Sequence, residues 1–158
     1  MRKPKLYLET SVWNFLFAED APDKKYATEK FFDEVEAGKY EIYISETVRA
    51  EVSGASSSKQ ERLNSAINKY KPVELELDED VRQLAQSYID NGVLSEKHFN
   101  DLLHLAYASA NGLYALISWN LNHLVKMKTH TLGNAVNLAG GYHPILIFTP
   151  QGVIEYEE

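Results

Sequence analysis

Leu6, Tyr7 and Leu8 form an apolar run that ends at Glu9, Thr10 and Ser11, the pattern of a short buried strand feeding a helix. Thr10 or Ser11 is expected to cap that helix, which starts near Val12. From Asp23 to Ala37 the apolar residues Ala27, Phe31 and Val35, with Phe32 beside them, keep a helical spacing that Gly38 stops. The stretch YEIYIS (40–45) alternates and is rich in β-formers, so it predicts a second strand, with Ser45 placed to cap a helix through ETVRAEV (46–52). SGASSSK (53–59) reads as a surface loop. Leu63, Ala66, Ile67 and Tyr70 mark another helix, after which Val73, Leu75 and Leu77 alternate as a third strand. Asp78 then caps a helix carrying Val81, Leu84, Ala85 and Tyr88, which Asn91 and Gly92 end. A helix over 98–110 stops at a second Asn-Gly, LYALISW (113–119) reads as a fully buried strand, a short helix covers 131–138, and PILIFT (144–149) is the last strand.

Five short strands separated by helices predict an α/β fold, a three-layer α/β/α sandwich around a mainly parallel sheet. The length of 158 residues suits one domain over 1–158. No apolar run approaches the roughly 20 residues of a membrane helix, so no membrane crossing is expected. Residues 1–8, MRKPKLYL, are basic but lack the long apolar region of a secretory signal. With no cysteine in the chain, disulfides and thiolate metal sites are excluded, a cytoplasmic protein is expected, and any metal must be held by oxygen or imidazole. A net charge of −7 argues against long-range attraction to nucleic acid, leaving NHLVKMKTH (122–130) as the best candidate for a local basic patch, most simply a solvated face.

In open parallel sheets the chemistry lies outside the carboxyl ends of the strands. Glu9 follows the first strand there, Asn120 follows the fourth, and Asp101 lies near the start of a helix that runs back before that strand. Glu46 and Glu51 fall in the first and second turns of the helix after YEIYIS. The helix dipole accounts for Glu46 but not for Glu51, which makes Glu51 the better candidate. Carboxylates gathered in one cleft repel one another unless a cation sits between them, and such oxygen sites suit Mg²⁺ or Mn²⁺. His104, between leucines and three residues after Asp101, is expected to be a hydrogen-bonded core residue rather than a ligand. His123 is expected to face solvent, and Trp13, Phe15 and Phe17 to serve as core or a subunit interface rather than as a platform for bases.

The segments YLETSVWNF, YISETVRAEV, FNDLLHLAYA and LISWNLNHL, in this order over nearly the whole chain, resemble the PIN-domain ribonucleases, in particular the VapC-type toxins of toxin–antitoxin pairs. By that resemblance Glu9 stands at the family's first acid, usually Asp, Glu51 at the second, Asp101 at the third, and Asn120 where many members carry a fourth. The resemblance implies a Mg²⁺- or Mn²⁺-dependent endoribonuclease, with Glu9, Glu51 and Asp101 as metal ligands and Asn120 completing the catalytic set. It further implies RNA as substrate, a cognate antitoxin as partner, and a homodimer as a frequent assembly. Glu for Asp lengthens one ligand by a methylene, and Asn120 offers a carbonyl oxygen but no charge. The alternative is a PIN-like binding module without catalysis.

Overall fold

The structure, a computed structural model, describes residues 2–154. Its elements are β1 (Lys5–Leu8), α1 (Thr10–Phe15), α2 (Pro22–Glu36), β2 (Glu41–Ser45), α3 (Glu46–Ser53), α4 (Ser57–Tyr70), β3 (Val73–Leu75), α5 (Glu79–Asp90), a 3-10 turn (Glu96–His98), α6 (Phe99–Ala110), β4 (Ala115–Ile117), α7 (Met127–Ala139), β5 (Leu146–Phe148) and α8 (Pro150–Val153). The strands form one sheet in the order β3-β2-β1-β4-β5, with every pairing parallel. The sandwich expected from the hydrophobic pattern is therefore the fold observed.

β1 and β4 lie at the centre, and Tyr7, Leu8, Ala115, Leu116 and Ile117 are all fully buried, as strands covered on both faces must be. Right-handed crossovers carry α1–α4 over one face, as the chain steps outward to β3, and α5–α7 over the other, as it steps back to β5. Gly133 of α7 would bring an added Cβ to 3.1 Å of the Leu105 side chain, so its missing side chain lets α7 approach α6 closely. The two Asn-Gly stops hold because Gly92 and Gly112 adopt φ of 74° and 66°, the left-handed region glycine enters without steric cost.

Ser45 and Asp78 cap α3 and α5, accepting hydrogen bonds from the Val48 and Val81 amides at 3.3 and 2.9 Å. Several boundaries differ from the sequence expectation. The cap of α1 is Glu9, whose carboxylate accepts from the Ser11 amide at 3.2 Å, rather than Thr10 or Ser11. The serine run is not all loop: Ser56 caps α4, and Ser57 to Lys59 form its first turn. β3 ends at Leu75, before Leu77. α7 begins at Met127 rather than near 131, inside the basic run, because the residue its first turn buries is the polar Thr129, which leaves no apolar period to read. Strand order reverses between β1 and β4, so a crevice opens outside their carboxyl ends.

Candidate metal centre

Glu9 is the first residue after β1, with its amide donating to the Ile117 carbonyl of β4 at 3.0 Å, so its position at the crevice is set by the sheet itself. The side chain is 6% exposed. Its Oε1 accepts from Ser11 Oγ at 2.5 Å and from Ser118 Oγ at 2.6 Å, whereas Oε2 has only the longer bond from the Ser11 amide. Helix capping and site geometry thus use the same carboxylate, one oxygen saturated by hydroxyls and the other available.

Glu51 reaches the crevice from the second turn of α3. Glu46, in the first turn, instead accepts from the Leu77 amide. Glu51 Oε1 takes hydrogen bonds from Thr10 Oγ1 and His104 Nε2, both at 2.6 Å. His104 is fully buried on α6, and its Nδ1 meets the Tyr7 hydroxyl at 2.6 Å, which in turn meets Ser45 Oγ at 2.7 Å. A doubly protonated imidazole makes this chain run one way: Nε2–H donates to Glu51, Nδ1–H to Tyr7, and Tyr7 O–H to Ser45. Burial pushes His104 down, but the hydrogen bond to Glu51 and the charges of Glu9, Glu51 and Asp101 outweigh it and hold the imidazole above its ordinary value. Burial likewise works to raise Glu51, yet the bonds from His104 and Thr10 keep that carboxyl below its usual range. The acids around His104 thus favour its protonated form. The hydrogen-bonded core histidine expected from its apolar neighbours is what the structure contains, with the added role of anchoring Glu51.

Ligand atoms of Glu9, Glu51 and His104 all lie within 4.8 Å of one another. Asp101, in the first turn of α6, falls in a second group under the same limit, with His98 and His123. The two groups adjoin, since burial raises the Asp101 carboxyl, nearby His104 partly offsets this, and the Glu9 charge raises it further. Asn120 does not point an open oxygen at either group: its Oδ1 accepts from the His123 amide at 3.0 Å, and its own amide donates to Ser118 Oγ at 2.9 Å. Of the two hydroxyls that hold Glu9, Ser11 stands beside it in the sequence, whereas Ser118 was not foreseen. For Ser118 the one available signal was a small hydroxyl directly after a buried strand. Trp13 is buried against Phe32, with ring centroids 5.0 Å apart, and belongs to the core. Lys126, Lys128 and His130 are exposed, as a solvated face requires.

Neither a protein-family model nor a curated protein matches the sequence. Among solved structures, the chain is similar to the crystal structure of VapBC2 from Rickettsia felis bound to a DNA fragment from their promoter, at 17% identity and a TM-score of 0.57, with 92% of this chain and 98% of that chain covered. The chain shares that structure's fold, a PIN-like α/β sandwich. In this PIN-like frame the buried Glu9 and the half-buried Glu51 and Asp101 lie at the edge where β1 and β4 end.

Proposed function

We propose that this PIN-like chain is a metal-dependent endoribonuclease that hydrolyses RNA phosphodiester bonds and acts as the toxin of a toxin–antitoxin pair. Asp101 carries the reading. Its carboxyl makes no hydrogen bond among the described residues, its ion-pair partner His98 stands 3.6 Å away, and burial together with Glu9 disfavours its charge. Such a carboxylate, beside Oε2 of Glu9, which has only the long bond from the Ser11 amide, and the cluster around Glu51, fits a divalent ion held by oxygen, Mg²⁺ or Mn²⁺. Glu9, Glu51 and Asp101 would hold it, and when bound it supplies the positive charge that the attacking and leaving oxygens of a phosphodiester require.

The protein's own residues do the positioning. Ser11 and Ser118 fix the Glu9 carboxylate, and Thr10 and His104 fix Glu51, so neither acid needs to reorganise when charge develops. Lys126 and Lys128, exposed in the run that follows Asn120, offer cations to the RNA backbone. The likeness to VapBC2 supports a cognate antitoxin as partner. Met127, Leu132 and Leu138, exposed along α7, support self-association as a homodimer. A cytoplasmic location and one domain over the whole chain complete the proposal.

The test is RNA cleavage by the full chain with Mn²⁺, with Mg²⁺ and with chelator, compared with Glu51→Gln. Cleavage that needs the ion and disappears in the variant is the expected result, and cleavage indifferent to both would overturn the reading. Two observations favour a second reading, a binding module without catalysis: Asn120 Oδ1 is engaged by the His123 amide, and Glu51 Oε1 is already hydrogen-bonded to His104. On that reading RNA or a protein partner binds and no ion brings cleavage.

A further inference from the structure

His98 and His123 come from places distant in the chain, the turn before α6 and the loop after β4, yet their rings lie 3.8 Å apart between centroids, at an interplanar angle of 35°. Neither imidazole makes a hydrogen bond among the described residues, and each is half-buried rather than free in solvent. Both backbones are held. The His98 amide donates to the Ser95 carbonyl at 2.9 Å, while the His123 amide is taken by Asn120 Oδ1 at 3.0 Å and its carbonyl by the hydroxyl of buried Thr129. One nitrogen from each ring and one oxygen of Asp101 lie mutually within 4.8 Å. Two imidazoles fixed at contact distance, with no polar partner apart from a carboxylate that is itself short of one, form a ligand set rather than a packing arrangement.

We propose that His98, Asp101 and His123 form a distinct transition-metal site, selective for ions such as Zn²⁺, Co²⁺ or Mn²⁺ over Mg²⁺. Imidazole nitrogen is a good ligand for the first-row transition ions, whereas Mg²⁺ keeps to oxygen and water. Three protein ligands leave at least one position on the ion open to water or a phosphate oxygen. Asn120 enters as a positioning residue. Ser118 Oγ donates to Glu9 Oε1 and accepts the Asn120 amide, and Asn120 Oδ1 accepts the His123 amide, so one hydrogen-bond chain ties the carboxylate group to the imidazole group. The absence of a fourth carboxylate at position 120 then has a structural counterpart: the side chain there orients an imidazole. The inference rests on the proposed nuclease reading only through Asp101, which both sites share.

The test is Co²⁺ titration of the full chain, read by visible absorption and calorimetry, alongside proton NMR of the histidine rings. The wild type should bind Co²⁺ with a visible band that excess Mg²⁺ does not remove, and the His98 and His123 ring signals should shift or broaden first. His98→Ala and His123→Ala should each weaken Co²⁺ about tenfold or more, and Asn120→Ala should weaken it less, as loss of an outer support does. Glu51→Gln should keep the band while losing RNA cleavage, which separates the two sites. Co²⁺ affinity unchanged in both histidine variants, or ring signals of His98 and His123 that do not respond to the ion, would overturn the inference whatever the outcome for cleavage. Failure of cleavage with the histidine-dependent band intact would count against the nuclease reading alone.

Discussion

The two groups around the crevice share one kind of problem and meet it differently. Glu9 and Glu51 are carboxylates whose oxygens are claimed by Ser11, Ser118, Thr10 and His104, and the last of these is an imidazole sealed in the core. Among the described residues Asp101 makes no hydrogen bond, and the imidazoles near it are the half-buried His98 and His123 and the buried His104, which is itself bonded to Glu51. The first group is complete as a piece of folded protein. The second is not, and its charge is disfavoured by burial and by Glu9. A buried acid satisfied from within is a structural element as much as a ligand, whereas an acid left short of positive charge marks where an ion is wanted.

The largest effect should come from His104. His104→Leu keeps the apolar packing but leaves Glu51 and Tyr7 without their central partner, so urea unfolding with chelator present should show a loss of about 3 kcal/mol, the lower end for breaking a buried pair from one side. A loss under about 0.5 kcal/mol would mean that the first group does not depend on its imidazolium.

The pH profile should follow in size, reaching at most about 1.4 kcal/mol per pH unit for each proton involved. His104 is raised on folding, so its contribution is full below its unfolded value near 6.5 and is lost as pH rises through the higher folded value. Glu51 is lowered, so its contribution is present above its unfolded value near 4.5 and is lost as pH falls through the folded one. Metal-free stability should therefore peak between these limits and decline on the alkaline side, and His104→Leu should flatten that decline. An alkaline limb identical in the variant would contradict the assignment.

A smaller effect belongs to the link between the groups. Asn120→Ala removes the acceptor for the His123 amide and should cost about 1 kcal/mol, as loss of a capping side chain does, while Asn120→Asp keeps the acceptor and adds charge. The aspartate variant should show the larger Mn²⁺-induced rise in melting temperature. Equal rises in Asn120→Asp and the wild type would leave position 120 with the loop alone.

Much of the fold was legible because its signals are local. Ser45 and Asp78 each announce a helix that starts at the next residue, Asn-Gly twice announces a stop, and the apolar runs at Leu6 and Ala115 announce buried strands. The start of α7 was not, since Lys126 makes no side-chain capping bond and the residue its first turn buries, Thr129, is polar. Of the candidate site, the edge on which Glu9 and Asp101 sit follows from strand direction, but the partners do not. Tyr7 and His104 are separated by 97 positions, Glu9 and Ser118 by 109, and nothing in either neighbourhood records the other. His98 and His123 were equally silent, one reading as a helix flank and the other as an exposed loop residue.

Asp101→Asn tests the central claim most directly, because an acid wanting an ion and an acid favoured by a helix start differ in sign. Asp101 is raised on folding, so its ionised form is the destabilising one above its unfolded value, and removing the charge should leave the metal-free protein at neutral pH as stable as the wild type or more so. The same variant should lose the rise in melting temperature that Mn²⁺ gives the wild type, and with it RNA cleavage. A variant that is less stable by the roughly 0.3 to 1 kcal/mol of a lost helix-dipole interaction, yet keeps its Mn²⁺ response and its cleavage, would contradict the account.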